Sequence, residues 1–445
     1  MQAIKDHYKN LIIGFGKGGK TLAAYLAGRG EEVAIVEKSK RMYGGTCINI
    51  ACIPTKSLIV NAEKGLPYPE AHTIKDQLTA TLRQKNYDKI ANAPQATVID
   101  GTASFASASS VTVKTEDEEK TISAERIFIN TGTKPFVPGI DGVHGPRIYN
   151  STTLMELGEK PRRLVVIGGG FVGLEFADMF LKFGSEVTVL DHSAAFLPRE
   201  DRDMAEAISG ALTQKGLKIV SNISVNGFVQ TAGGVKIQYS SKDAPHECSA
   251  DAVLMATGRE PETQALKLEA AGIRTDKKGY IVVNDRLETT APNVWAVGDV
   301  NGGPQFTYIS LDDFRIIRNQ LSGGSYTSTG QRKAFATSVF ITPPYARVGI
   351  NETEAREKGL AYQVFSLPAQ NIPKAAILRQ KEGLLKAIVE KDTDRILGCM
   401  LFCAEAHEII NIVQLAVNAG IPYQTLRDAI YTHPTMAEGL NDLFA

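Results

Sequence analysis

The sequence predicts a mixed α/β protein of several domains, and two observations support this prediction. The chain has 445 residues, whereas a single hydrophobic core stops growing at roughly 250–300 residues. Residues 9–37 and 163–191 also repeat one pattern, in which an apolar strand, a G-x-G-x-x-G turn and a helix precede a second strand that ends in an acid. Because this pattern is typical of the Rossmann fold, we expect two Rossmann-like dinucleotide-binding domains.

The glycines and the acid of each repeat have separate roles at a dinucleotide. The first glycine forms a tight turn, the second lets the backbone approach a pyrophosphate, and the third lets the helix pack on the strand, while the acid binds a ribose. The residues are Gly14, Gly16, Gly19 and Glu37 in the first repeat, and Gly168, Gly170, Gly173 and Asp191 in the second. Two such sites on one chain indicate FAD together with NAD, and therefore electron transfer.

Further nucleotide-binding candidates lie at the ends of apolar strands. Such strands run into Thr131-Gly132, Thr257-Gly258 and Gly298-Asp299, and each alone fits a plain strand and turn equally well. Beside the repeats, we assign Thr131, Gly132 and Asp299 to FAD, and Gly258 to NAD together with Glu175 of the second repeat. The carboxylate of Asp191 should bind the ribose 2′-hydroxyl and repel a 2′-phosphate, which predicts NADH as the reductant.

Composition excludes several classes of partner. Basic and acidic residues balance at 49 each, so there is no basic field for nucleic acid or an anionic membrane. No apolar run reaches the roughly 20 residues of a membrane span, and the N-terminus lacks the apolar core of a signal peptide. We therefore predict a cytoplasmic protein with neither a nucleic-acid partner nor a membrane anchor.

Cys47 and Cys52 are the strongest catalytic candidates. Thr46 is a predicted N-cap, and a helix N-terminus stabilises thiolates. Residues five apart do not face each other on a regular helix, so a bridge between the two cysteines requires a distorted turn, consistent with Pro54. Lys56 adds a positive charge nearby. Metal binding is the alternative, but a second ligand pair at matching spacing is missing, so redox chemistry is favoured and no metal site is predicted.

The other three cysteines indicate no second centre. Cys399 and Cys403 lie in an apolar run, where free cysteine is commonly a small buried hydrophobe. A secondary oxidant sensor is the alternative for this pair. Cys248 follows His246, and nothing else in the sequence supports a site there. We therefore expect Cys399 and Cys403 to lie in a core.

Together these motifs resemble the flavoprotein disulfide reductases over essentially the whole chain. The matching segments are the two repeats, Gly44–Lys56, Ala256–Arg259, Ala296–Asp299 and His433–Glu438. The resemblance implies an FAD domain that includes Gly45 and Thr46, an inserted NAD domain, and a C-terminal α+β domain that forms a homodimer. It also implies that Cys52 lies beside the flavin and Cys47 faces the substrate. His433 and Glu438 would reach into the partner subunit's active site.

More narrowly, the chain resembles the reactive-chlorine-resistance and hypothiocyanous acid reductase branch. The residues are Gly14–Lys17, Met42–Ile50, Phe196–Asp203, Gln305–Asp313 and Glu438–Phe444. This resemblance implies NADH-dependent reduction of a small oxidant in oxidant defence, with hypothiocyanous acid as the favoured substrate. Ala51 stands where the family usually has glycine, and no cysteine pair lies near the C-terminus. The open alternatives are a copper(II) or mercury(II) reductase, a dihydrolipoamide dehydrogenase, and a redox-sensing binding protein.

The motifs divide the chain into four segments. Residues 1–148 are the first part of the FAD domain, 149–268 the NAD domain, 269–332 the second part of the FAD domain, and 333–445 the dimerisation domain. Residues 61–93 should be helical, with a break at Gly65–Pro69. In the last segment we predict strands within Phe340–Gly349 and Leu384–Leu401, and an amphipathic helix over Glu405–Ala419.

Overall fold

The computed structural model describes residues 4–242 and 244–445. These residues form two compact units, each assembled from separate stretches of the chain. The first unit holds the residues up to Leu58, with Pro69–Phe136 and Gly258–Arg332. The second unit holds Ile59–Tyr68, Val137–Thr257 and Lys333–Ala445.

The N-terminal third of the chain alternates strands and helices. Its elements are β1 (His7–Ile13), α1 (Lys17–Gly28), β2 (Val33–Glu37), α2 (Thr46–Asn49), α3 (Cys52–Glu63), α4 (Tyr68–Ala91), β3 (Ala96–Asp100), β4 (Thr102–Ser107), β5 (Ser110–Lys114), β6 (Glu119–Ile129) and β7 (Thr133–Pro135). The predicted helical stretch 61–93 is therefore the end of α3 and the whole of α4. The expected break lies between them, at Gly65, whose φ of +74° favours glycine.

The second predicted repeat forms its own parallel sheet. The elements are β8 (Ile148–Asn150), α5 (Ser151–Leu154), β9 (Arg163–Ile167), α6 (Phe171–Lys182), β10 (Glu186–Leu190), α7 (Arg202–Gln214), β11 (Lys218–Val220), β12 (Ile223–Thr231), β13 (Gly234–Ser241), β14 (Ala244–Ala250) and β15 (Ala252–Met255). Parallel strands follow the order β11-β10-β9-β15-β8, and β12, β13 and β14 form an antiparallel sheet.

The chain then returns to the first unit with β16 (Arg259–Pro261), β17 (Val294–Ala296) and α8 (Thr307–Ser322). The sheet of this unit has the order β3-β2-β1-β6-β5-β4, and β17 pairs in parallel with β6. Strands β1, β2, β3 and β6 are parallel, as the Rossmann pattern predicts. The sequence-based α/β fold with two Rossmann-like regions is therefore confirmed.

The C-terminal segment is an antiparallel sheet with helices. Its elements are β18 (Thr337–Val339), β19 (Tyr345–Gly349), α9 (Glu352–Glu357), β20 (Tyr362–Pro368), α10 (Pro373–Leu378), β21 (Leu384–Glu390), β22 (Ile396–Phe402), α11 (Ala406–Ala419), α12 (Gln424–Arg427) and α13 (Gly439–Leu443). The strand predicted from Phe340 begins only at Tyr345. Pro343 and Pro344 precede it, and neither has a backbone N–H for a strand ladder.

Cys399 and Cys403 are fully buried in the apolar core of this segment, so the prediction that they lie in a core is confirmed. Burial raises the pKa of both thiols. Because a thiol must ionise to react, neither cysteine is suited to oxidant sensing. Among the residues that the structure describes, no helix is long and apolar enough to cross a membrane.

Candidate functional site

The first glycine turn leaves no room for side chains. Gly14 has a φ of +101°, and a Cβ there would collide with the carbonyl oxygen of Asn130. A Cβ on Gly19 would lie 2.7 Å from the carbonyl oxygen of Gly14. The buried Glu37 closes the turn, because its Oε2 accepts a hydrogen bond from the Phe15 backbone N–H at 3.0 Å. These contacts bring β1, the turn and α1 close enough together for the N-terminus of α1 to hold a pyrophosphate.

Asn130 is a site residue that the sequence analysis missed. Its Oδ1 accepts a hydrogen bond from the Gly19 N–H at 2.8 Å, and its Nδ2 donates to the Val297 carbonyl at 2.7 Å. The side chain thus joins the glycine turn to the end of β17. A polar residue directly after the buried apolar strand β6 was the available signal, because such a residue needs hydrogen-bond partners.

Helix α8 supports the same turn from another part of the chain. The Ser310 Oγ accepts from the Gly18 N–H at 3.0 Å, and the Asp313 Oδ2 accepts from the Gly298 N–H at 2.7 Å. Arg332 pairs with Asp313 at 2.6 Å. These contacts fix the backbone that flanks Asp299.

The residues around this turn fit FAD. The buried Thr131 hydroxyl has no hydrogen-bond partner within the described part of the chain, and a buried hydroxyl normally has one. Gly132 has a φ of +71° and faces open space, and at Gly45 a Cβ would lie 2.7 Å from the Gly16 Cα. Asp299 accepts a hydrogen bond from the Thr133 hydroxyl at 3.1 Å, and burial raises the pKa of its carboxyl. A bound nucleotide would supply the missing partner for Thr131.

The second unit holds the other glycine turn. A Cβ on Gly168 would lie 2.5 Å from the Ala256 carbonyl oxygen, and one on Gly173 would collide with the Gly168 carbonyl, whereas Gly170 faces open space. This is the arrangement that lets a pyrophosphate approach the second glycine. The buried Asp191 carboxylate lies over the turn, since a Cβ on Gly169 would be 3.0 Å from its Oδ2.

Two predicted NAD-binding residues have other observed contacts. The Glu175 Oε1 accepts a hydrogen bond from the Phe340 backbone N–H at 3.0 Å, so one carboxylate oxygen is engaged by the C-terminal segment. Gly258 belongs to the first unit, where its carbonyl accepts from the Phe136 N–H at 3.0 Å. Its φ of +112° favours glycine, and the space where a Cβ would lie is open to a bound nucleotide.

The redox segment folds as two helices rather than one. Helix α2 ends at Asn49 and α3 begins at Cys52, so the distortion expected from the spacing is present. The prediction of Thr46 as the N-cap is wrong: the N-cap is Gly45, with a φ of +78° and no side-chain capping bond. Only glycine adopts this backbone readily, which moves the helix start one residue upstream.

The side chains of Cys47 and Cys52 are hydrogen-bonded to each other. The hydrogen bond from Cys47, with help from Thr307 and Lys56, lowers the pKa of the Cys52 thiol to about 6 although burial opposes this. The hydrogen bond to Cys52 and burial raise the pKa of Cys47. The Thr307 Oγ1 lies 3.5 Å from the Cys52 sulfur. The hydrogen bond between the two sulfurs therefore favours the thiolate on Cys52 and the proton on Cys47.

His433 and Glu438 form a pair in the second unit, in the segment between α12 and α13. The His433 Nδ1 lies 2.7 Å from the Glu438 Oε2, and the Glu438 Oε1 accepts from the Thr435 N–H at 3.3 Å. The histidine side chain is 70% exposed and the glutamate 16%. The half-buried carboxylate fixes the ring by one nitrogen, and the exposed ring leaves the other nitrogen free to exchange a proton.

Comparison with known proteins agrees with this geometry. Residues 8–313 match the pyridine nucleotide-disulphide oxidoreductase family model, and residues 335–444 match the dimerisation domain of the same family. The probable pyridine nucleotide-disulfide oxidoreductase RclA of Escherichia coli (strain K12) is 48% identical over 99% of both chains. A mercuric reductase of Lysinibacillus sphaericus is 33% identical over 98% of this chain and 82% of its own length.

The solved structures give the same assignment. The E. coli protein described as HOCl-induced flavoprotein disulfide reductase RclA superposes with a TM-score of 0.94, at 48% identity over 98% of this chain and 99% of that one. Its Cu(II) complex gives a TM-score of 0.96, at 47% identity over 99% of both chains. The chain therefore belongs to the pyridine nucleotide-disulphide oxidoreductase family and is an FAD-dependent oxidoreductase that takes electrons from a pyridine nucleotide.

Proposed function

We propose that the protein is an NADH-dependent reductase in oxidant defence, with hypothiocyanous acid as its substrate. The observation that carries this proposal is the Cys47–Cys52 pair, whose two sulfurs are hydrogen-bonded to each other beside the hydroxyl of Thr307. Such a pair attacks a small electrophilic sulfur without an extended binding surface. The HOCl-induced E. coli relative supports a role against reactive chlorine and its products.

The proposed reaction balances on the residues of the pair. Bound FAD supplies the relay that carries two electrons from NADH to the disulfide. The Cys52 thiolate first takes the proton of Cys47, and the Cys47 thiolate bonds to the sulfur of hypothiocyanous acid. The S–O bond breaks, and the proton passes on from Cys52 to the oxygen, which leaves as water. The Cys52 thiolate next attacks the Cys47 sulfur and expels thiocyanate, so the disulfide re-forms. His433 of the partner subunit relays the proton to the departing oxygen.

The proposed mechanism needs a proton at the departing oxygen and a thiolate for the second step. Hydroxide is a poor leaving group, so the oxygen needs a proton at the moment that the S–O bond breaks. The hydrogen-bonded pair keeps one proton close to the sulfur that reacts with the oxidant, and the lowered pKa of Cys52 favours its thiolate for the second step. Glu438 is a positioning residue in this scheme, because it contacts His433 rather than the reacting atoms.

The assembly and location follow from the same proposal. We assign residues 1–148 and 269–332 to the FAD domain, 149–268 to the NAD domain and 333–445 to the dimerisation domain. The active form is a homodimer with two sites, each completed by His433 of the partner subunit. NADH and thiols that must be reduced in every cycle suit the cytoplasm.

A panel of oxidants tests the substrate. We expect the purified, FAD-loaded enzyme to oxidise NADH at least about tenfold more efficiently with hypothiocyanous acid than with copper(II), mercury(II) or lipoamide. NADH consumption is followed at saturating reductant. Copper(II) is the second candidate, because the E. coli relative has been solved as a Cu(II) complex. A higher efficiency with copper(II) would replace the proposed substrate, and slow turnover with every oxidant would favour a redox-sensing protein.

The choice of nicotinamide depends on Asp191. We expect kcat/KM for NADH to exceed that for NADPH by at least about tenfold, because the buried carboxylate repels a 2′-phosphate. Asp191→Ala should lower this ratio by about tenfold or more. Glu186→Ala is the matched control, because Glu186 lies at the exposed start of the same strand, β10. Equal or higher efficiency of the wild type with NADPH would contradict the assignment.

A further inference from the structure

A pocket in the first unit gathers positive charge close to the redox segment. The first turns of α1 form one wall and the C-terminal part of α4 forms the other. The lining residues are Lys17, Lys20, Thr21, Asn86, Lys89 and Ile90. Neither the glycine turn nor the cysteine chemistry described above uses these side chains.

Within residues 4–242 and 244–445, the three lysines of this lysine pocket have no acidic partner. Lys20 is bound by neutral acceptors, with its Nζ 2.6 Å from the Asn86 Oδ1 and 3.1 Å from the Gly44 carbonyl oxygen. None of Lys17, Lys20 and Lys89 forms an ion pair with a carboxylate in the described part of the chain. Uncompensated ammonium groups that face one cavity produce a local positive potential, and such a potential attracts anions.

The lysine pocket and Cys47 influence each other electrostatically. Burial and the neighbouring Lys17 and Lys89 charges lower the pKa of Lys20 to about 8, whereas a Cys47 thiolate acts in the opposite direction. In return, Lys20 favours the thiolate form of Cys47. The hydrogen bond from Lys20 to Gly44 also reaches the backbone three residues before Cys47. The pocket therefore lies within electrostatic range of the cysteine assigned to the substrate.

We propose that the lysine pocket binds thiocyanate beside Cys47, as the product anion and as the leaving group of the second step. This inference rests on the proposed function, because thiocyanate is the group that departs when the Cys52 thiolate attacks the Cys47 sulfur. The S–SCN bond breaks, its electron pair leaves with thiocyanate, and the new S–S bond joins the cysteines. A positive charge next to the departing anion stabilises it, as positioned cations do for other leaving groups.

The lining favours a small, soft anion. The ammonium group of Lys20 supplies charge, while the Ile90 side chain and the lysine methylene stems supply apolar surface. Thiocyanate carries one charge over a linear, polarisable body and loses little hydration on entering such a place.

Alkylation of the reduced holoenzyme tests the pocket without any oxidant. Iodoacetate is an anion and iodoacetamide is neutral, both alkylate thiolates, and only their rates of modification at Cys47 are compared. Changing the thiolate fraction affects both rates equally, so their ratio reports only the local potential. We expect Lys20→Met to lower the iodoacetate-to-iodoacetamide ratio about three- to tenfold, and Lys20→Arg to restore most of it. Peptide mapping of the NADH-reduced enzyme identifies the alkylated cysteine.

Three comparisons extend this test. Lys9→Met removes the same charge from an exposed lysine paired with Glu31, and it should leave the ratio unchanged. Lys89→Gln, at an exposed position, should lower the ratio even if Lys20→Met folds poorly. Sodium thiocyanate should slow iodoacetate alkylation of the wild type several-fold and that of Lys20→Met much less.

The outcomes separate this inference from the proposed function. An unchanged ratio in Lys20→Met and Lys89→Gln, with normal FAD content, overturns the anion site whatever oxidant the enzyme reduces. A lower ratio without protection by sodium thiocyanate overturns the choice of anion. Lower ratios together with protection support the site even if the oxidant panel rejects hypothiocyanous acid.

Discussion

Cys47→Ser and Cys52→Ser should each lower the steady-state reduction of hypothiocyanous acid by more than about 10³-fold, a loss typical of removing a nucleophile. Without Cys47 no sulfur bonds to the oxidant, and without Cys52 nothing expels thiocyanate from Cys47. The rate is measured as NADH consumption with purified enzyme, and the FAD content is measured from the visible spectrum. Both variants should stay yellow, because the residues that fit FAD surround Gly14, Asn130 and Asp299.

Cys248→Ser is the matched control for this pair. It makes the same chemical change at a half-buried cysteine of β14, in the other unit, and should keep nearly all activity. If Cys47→Ser or Cys52→Ser retained most of its turnover, the oxidant would be reduced without the thiols. The proposed mechanism would then be wrong, although the family assignment would stand.

Mixed dimers of Cys47→Ser and His433→Ala should regain about a quarter of the wild-type activity after complete exchange of equal amounts. Half of the dimers are then mixed, and each mixed dimer has one intact site that combines Cys47 of one chain with His433 of the other. His433→Ala alone should be about 10²-fold slower, the usual scale for loss of a positioned proton donor. Activity is followed over time under conditions that exchange subunits.

The control for exchange mixes Cys47→Ser with Cys52→Ser. Both cysteines belong to one chain and one redox segment, so every site in these mixed dimers has one broken thiol and activity should not recover. A tag on one variant shows independently that subunits have exchanged. If exchange is complete and the Cys47→Ser/His433→Ala mixture stays at the level of its parents, His433 does not act across the interface.

Local sequence patterns were sufficient for the nucleotide turns. A glycine turn is built by adjacent residues, so its spacing alone predicted the strand, the turn and the helix around Gly14 and around Gly168. Asn130 was missed because its partners Gly19 and Val297 are 111 and 167 residues away in the chain. Contacts of this kind depend on the sheet order, which no local pattern specifies.

The sequence predicted which two cysteines form the redox pair, but not which of them has the lower pKa. The spacing and Pro54 indicated a distorted turn, and the sequence alone placed a reactive thiol near the start of a helix. The helix N-terminus predicted a lowered pKa for the pair without distinguishing its members, whereas the structure lowers the pKa of Cys52 and raises that of Cys47. The largest cause is the direct hydrogen bond between the cysteines, and Thr307, 255 residues away, adds to it. Neither contact is visible before the chain is folded.

The two hydrogen bonds of Asn130 become possible at different times as the chain is made. A ribosome makes the chain from its N-terminus, so β1, β6 and the first glycine turn emerge long before Val297. The Asn130 amide finds its second partner, and β6 gains its neighbour β17, only after residues 137–257 of the other unit have been made. While residues 137–257 are being translated, the first unit lacks β17 and the Val297 partner of Asn130. The second hydrogen bond of Asn130 therefore forms only after translation has passed Val297.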